Sequence, residues 1–414
     1  MSQKSKVPPL ASMYIRDFRN FVTARLFMTI AIQVQAVAVG WQIYEITRDP
    51  LSLGLIGLSE AIPAISVALY AGHLADVMER KKIILLCAST LLICSVALFA
   101  FTSNLSSLLE VYGAIPIYAV MFVTGIARGF LSPANFSLLP QLIPRALYTN
   151  AITWNSTIWE GASVAGPAIG GLLIDFIGLR LTYFSVMMIF GAGLFFYALV
   201  DRKPVPSATD EQSVWEKISA GLKFVFSHQL ILSAITLDLF AVLFGGAVAL
   251  LPVFAKEILD VGPHGFGLLR AAPAAGALVM ALILSYYPIQ KYPGRVLLWC
   301  VAGFGLSMVG FALSENFLLS LALLVISGVF DCVSVIIRGI IVHTQTPENM
   351  KGRVAAINSM FIGSSNEIGA FESGVAARWM GVVPSVVFGG IMTMVVTGAT
   401  AFKAEHLRKI RLIR

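Results

Sequence analysis

Runs of about 20 mostly apolar residues recur some twelve times along this chain, and nothing else in the sequence restricts its fold as strongly. A run of that length, wound as a helix, crosses the roughly 30 Å hydrocarbon core of a bilayer. The runs fall at 20–45, 52–75, 82–103, 113–139, 151–175, 180–200, 229–255, 265–288, 294–314, 316–342, 353–378 and 382–402. Charged residues make up only 12% of the chain and hydrophobic ones 57%. The expected fold class is therefore an all-α integral membrane protein with twelve transmembrane helices.

The basic residues report orientation. With both termini on the cytoplasmic side, about 21 Lys and Arg collect there and about four stand outside, the positive-inside asymmetry. Arg80, Lys81, Lys82, Arg202, Lys203, Lys351 and Arg353 lie on the basic side, and Arg48, Arg180, Lys256 and Arg378 on the other. The net charge of +7 is thus a record of topology and calls for no nucleic acid partner. The first run is too long, and lacks a small-residue cleavage site, for a removed leader, so it is expected to stay as the first span. Cys87, Cys94, Cys300 and Cys332 lie in or beside spans without CxxC spacing and read as packing residues. The five histidines show no ligand spacing, and no metal site is expected.

Residues 201–228 form the only long polar interval and divide the chain into a bundle at 1–200 and another at 229–414 with a basic tail. At an offset of about 203, GIARGFLSPANFSLLPQLIP (125–144) falls on GVFDCVSVIIRGIIVHTQTP (328–347), which sets Arg128 on Asp331. Internal duplication of this kind marks transporter architecture, here two pseudo-symmetric six-helix bundles. Spans three, six, nine and twelve have no charge between their ends. Arg25, Glu60, Arg128, Glu160, Asp238, Arg270, Asp331, Arg338, Glu367 and Glu372 stand in the others. An ionisable group at membrane depth costs about 2.5–3.5 kcal/mol on insertion scales, so these eight helices should enclose something polar and every third helix should face lipid.

The polar knot GHLADVMERKK (72–82) resembles the loop between helices two and three of the major facilitator superfamily, through Gly72, Leu74, Ala75, Asp76, Arg80 and Lys81. Val77 and Glu79 depart from that pattern, and the local form is similar to the enterobactin-exporter-like and drug:proton antiporter branch. The resemblance implies a conformational latch in which Asp76 meets the N-terminus of span eleven near Arg353, while Gly72 allows a close helix approach. GASVAGPAIGG (161–171) resembles the antiporter motif of helix five through Gly161, Gly166, Pro167, Gly170 and Gly171. That likeness implies packing against span eight and export as the direction of transport.

No phosphate-cradling P-loop occurs, so a proton gradient is the expected energy source and no cofactor is needed. The candidates for proton coupling or a charge switch are Asp331, Arg128, Asp238, Arg338, Glu160 and Glu367. Each could equally belong to a permanent salt bridge. Gln33, Gln35, Asn135, Trp154, Asn155 and Trp159 combine aromatic faces with hydrogen-bonding groups and suit an amphipathic organic ligand. The reading is a monomeric exporter of siderophore-like or drug-like molecules in a bacterial inner membrane, touching lipid and small-molecule cargo. A lysophospholipid or lipid mover of the same fold and a non-transporting receptor stay open. No histidine pair, serine elbow or close acid pair argues for an enzyme.

Overall fold

In the computed structural model the described residues are 8–103, 107–204, 214–245, 247–287, 289, 292–347 and 350–409. They are helical throughout, as a bilayer requires: with no water to accept backbone hydrogen bonds, each segment must satisfy its own. Helix α1 is Arg16–Thr47, α2 Pro50–Val77, α3 Arg80–Thr102 and α4 Ile115–Leu138. Tyr148–Ala198 runs on as one 51-residue element but breaks at Gly178, whose φ of 76° and ψ of 167° suit only a residue without a Cβ. Its arms, 148–177 and 179–198, are α5 and α6. Next come α7 (Gln229–Gly245), α8 (Gly262–Tyr286), α9 (Pro293–Ala312), α10 (Phe317–Gln345), α11 (Lys351–Met380) and α12 (Val382–Lys403).

Ten helices among the described residues are long and apolar enough to cross a membrane. One of the ten is the double span broken at Gly178. Helix α11, of 30 residues, is long enough but more polar, carrying Asn358, Asn366, Glu367 and Glu372. The repeat is visible in the backbone as well. Gly381 (φ 93°, ψ 159°) separates α11 from α12 just as Gly178 separates α5 from α6, and the two glycines stand at the offset read from the sequence. Span seven departs from expectation. Instead of one helix over 229–255, α7 is followed by a 3-10 turn (Ala247–Leu250), a helical turn with Pro252, and a π-turn (Phe254–Ile258). Pro252 has no N–H to continue the ladder. The polar interval between the halves also contains a helix, Val214–Ser227, whose Val225 packs with Ile231, Ile235, Val342 and Ile357.

The chain forms two compact units. One comprises residues up to Val39 and those from Ile62 to the linker; the other comprises Gly40–Ala61 and those from the linker onward. In the first, Phe18, Phe21, Leu91, Leu138 and Phe190 are central to a core built from α1, α3, α4 and α6. Gly193 of α6 lies against Met28, bringing α6 close to α1. In the second, α8 and α10 cross with backbones touching at two reciprocal places: a Cβ on Gly276 would overlap the Val325 carbonyl, and one on Gly328 the Pro273 carbonyl. Helices α9 and α12 meet likewise through Gly305 and Gly390. The uncharged third helices of each set expose large apolar side chains, Leu86 and Ile93 on α3, Phe195 on α6, Trp299 and Leu306 on α9 and Val395 on α12, as contact with acyl chains demands.

Gly328→Ala is expected to destabilise the protein by about 1–3 kcal/mol or more, because the obstacle is backbone and cannot rotate away. Thermal unfolding of the purified protein should show this loss, with a much smaller change for Gly339→Ala, where open space surrounds the added methyl among the described residues.

Candidate functional site

In the first unit, α1 turns Arg25, Met28, Thr29, Ile32 and Gln33 to one side, at successive spacings of three, one, three and one residues. Helix α4 presents Arg128, Leu131, Ser132 and Asn135 with the same periodicity; Trp159 of α5 and Tyr197 of α6 complete the wall. Together they enclose a cavity of about 230 Å³. Its polar groups are ordered by hydrogen bonds to neutral acceptors. Tyr197 donates its hydroxyl proton to Asn135 Oδ1 at 3.0 Å, and Arg25 Nη1 donates to Asn155 Oδ1 at 2.7 Å.

Of the six residues expected to meet a ligand, Gln33, Asn135 and Trp159 line this cavity, and Asn155 stands behind Arg25. Gln35 does not line it: two residues beyond Gln33 is more than half a turn, so its side chain is buried on another face of α1. Trp154 does not either; its indole donates to the Pro9 carbonyl at 2.8 Å and holds the segment before α1. Thr29, Ser132 and Tyr197 were not foreseen in the cavity, nor was Arg25, although its spacing from Gln33 put both on one helical face.

In the second unit, Asp331, Ser334 and Arg338 share a face of α10, and Asp238 approaches from α7. Asp238 and Arg338 form a close ion pair, 6% and 2% exposed, which leaves the charges effectively dry. Asp331 borders the same pocket with Phe304 and Phe330 but has no ion-pair partner among the described residues. The pocket measures about 10 Å³, near the lower limit for holding one water. Within the second unit, Asp238 is thus compensated by Arg338. Glu367 lies apart from this pocket, its carboxylate against Gly57. Glu160, half-buried on α5, is absent from the described lining of both pockets.

The knot between α2 and α3 is fastened inside the first unit. Lys81 Nζ donates to the carbonyls of Ala198 (2.8 Å) and Val200 (2.5 Å), at the negative end of α6. Glu79, the departure from the family pattern, lies 3.2 Å from Lys82 and 3.8 Å from Arg202. Asp17 holds the same stretch through Lys203 and the Asp201 amide. Arg80, half-buried, opens α3. Gly72 has no atom of the described residues within 4 Å of an added Cβ. The side chains of Asp76 and Arg353 lie outside the described residues.

The antiporter-like glycines also act locally. Gly166 lies against Gln33, and Gly170 against Val34 and Val37, so the small residues of α5 receive α1; Pro167 and Gly171 are buried beside them. Gly161 meets open space among the described residues. A further polar cluster was not foreseen. On Gly40–Ala61, the Tyr44 hydroxyl donates to Glu257 in a very short bond, Glu45 pairs with Lys256 at 2.7 Å, and Asp49 lies 3.4 Å from Arg378. The π-turn supplies both Lys256 and Glu257, and Lys256 also sits 5.1 Å over the Trp41 ring.

Comparison with known proteins agrees with this architecture. Residues 7–411 match the family described as transmembrane secretion effector. The enterobactin exporter EntS of Salmonella choleraesuis is 27% identical over 401 residues, covering 95% of this chain and 94% of the relative. The uncharacterized MFS-type transporter YfiS of Bacillus subtilis is 24% identical over 402 residues, covering 92% and 88%. Among solved structures, a POT family transporter in complex with a thioalcohol-conjugated peptide superposes with a TM-score of 0.74 at 13% identity, covering 95% of this chain and 97% of the other. A bacterial homologue of the iron transporter ferroportin in its inward-facing state gives 0.70 at 16% identity, covering 93% and 98%.

Removing one member of the buried pair should be costly. Asp238→Asn is expected to lower stability by about 3–5 kcal/mol by stranding Arg338, whereas the double change Asp238→Leu with Arg338→Met restores most of the loss. Thermal unfolding of the three purified proteins measures both effects.

Proposed function

This chain belongs to the transmembrane secretion effector family of MFS-type transporters, and from that premise we propose that it exports small amphipathic organic molecules by proton antiport through alternating access. The first unit binds cargo in the cavity between α1, α4, α5 and α6, and the second couples the cycle to protons at Asp331. The membrane is the bacterial inner membrane, with both termini cytoplasmic as the basic residues indicate. The likeness to an enterobactin exporter over nearly the whole chain supports an organic cargo and the outward direction.

The observation that carries proton coupling is the composition of the second-unit cluster. Two carboxylates, Asp238 and Asp331, share one small pocket, and a single guanidinium, Arg338, pairs with Asp238. With both acids ionised the cluster is one negative charge in excess, and one proton on Asp331 cancels it. Hydrocarbon surroundings make that difference consequential, because a net charge at membrane depth is costly. A proton taken up from one side neutralises the cluster, and its release to the other restores the charge. Asp238 is already committed to Arg338, so the movable proton is assigned to Asp331.

Everted membrane vesicles energised with a pH gradient, screened over catecholate and other amphipathic compounds, test the reading. Efflux by the unaltered protein should collapse on addition of an uncoupler. Asp331→Asn should reduce pH-driven transport at least tenfold while leaving cargo binding and gradient-independent exchange in place. Unchanged pH-driven efflux in that variant would remove Asp331 as the carrier.

A further inference from the structure

The cavity of the first unit contains a charge that no opposite charge meets among the described residues lining it. Arg25 projects from α1, and its recorded partner is the neutral Asn155. No Asp or Glu occurs among the described residues lining the cavity; the polar remainder is Thr29, Gln33, Ser132, Asn135 and Tyr197, all neutral, with Arg128 as a second guanidinium. Arg128 is engaged by contacts of its own, so the case stands on Arg25. The second unit solves the equivalent problem internally, where Asp238 neutralises Arg338. A guanidinium held among helices in a membrane is tolerated when paired, and no acidic residue among the described residues lining this cavity supplies the pair.

We propose that the missing counter-charge is carried by the cargo: the cavity recognises a small organic anion, its carboxylate or equally acidic oxygen bound at Arg25 and its aromatic body placed against Trp159. Arginine suits the task because its planar fork of N–H donors matches a two-oxygen anion, and Asn155 fixes the direction of that fork by accepting from Nη1 at 2.7 Å. Trp159 is 48% exposed and lines the cavity, offering an aromatic face on a wall otherwise shared by Met28, Ile32 and Leu131. The volume of about 230 Å³ exceeds the roughly 150 Å³ that accommodates benzene and so admits one aromatic ring with substituents or two fused rings. Cationic amphiphiles, a common cargo chemistry for drug exporters, are disfavoured by the same charge.

This inference rests on the export reading for its direction but is tested by equilibrium binding alone, so the two fail separately. The probes are 2-naphthoate and 2-naphthamide, alike in shape and different in charge, titrated against the full-length protein in lipid nanodiscs and followed by tryptophan fluorescence. The acid should bind at least tenfold more tightly than the amide. Arg25→Gln should erase that ratio, Arg25→Lys should keep part of it, and thermal unfolding of each variant verifies that it is folded. Equal affinities in the unaltered protein, no saturable binding of the acid, or a preference that survives in a folded Arg25→Gln protein would each overturn the proposal. Anion-selective binding without vesicle transport would instead count against the exporter while leaving the anion site standing.

Discussion

Hydrocarbon offers neither a hydrogen-bond partner nor a counter-ion, and every level of this protein answers to that deficiency. It makes the backbone helical and sends polar side chains back to their own helix. Ser163, Ser307, Ser365 and Thr397 each donate a hydroxyl to the carbonyl four residues earlier. It also lets glycine, which brings no side chain at all, decide where helices touch, as where α8 meets α10. Charge is the costliest feature under this constraint, and two of the places that hold it within the spans are the Arg25 and Arg128 cavity and the Asp238, Asp331 and Arg338 pocket. Those places are where chemistry can be sought.

The two halves share a fold and divide the chemistry. Equivalent positions of the repeat hold Arg128 in the first and Asp331 in the second, each near the middle of its helix. Around Arg128 lies a cavity of molecular size with neutral hydrogen-bonding groups; around Asp331 lies a pocket scarcely larger than a water, closed by Phe304 and Phe330. The first is of the size of a small organic molecule and the second of about one water. In the proposed cycle a duplicated scaffold has thus been given complementary tasks through substitutions at matched sites.

Much of the fold was legible in the sequence because hydropathy and charge are summed over whole spans, and such sums survive local irregularity. Most of the helix limits and the exposed apolar side chains of the third helices follow from period and composition. What escaped is contact with backbone. Lys81 was read as part of a latch, and its partners among the described residues are the carbonyls of Ala198 and Val200; a carbonyl has no signature in a sequence. Trp154 was misread for the same reason, since the Pro9 carbonyl claims its indole. Gln33 and Gln35 look alike as letters, and only helical phase sends one to the cavity and the other into packing. The glycines of α5 announced a close approach, and within the first unit it is α1 that takes it at Gly166 and Gly170, a partner that the resemblance did not name.

Each half joins its last two helices through one left-handed glycine, Gly178 or Gly381, with no intervening loop. A connection of a single residue contains no slack. The facing ends of α5 and α6, and of α11 and α12, are held one residue apart, and any change of angle between them is confined to the φ and ψ of that glycine.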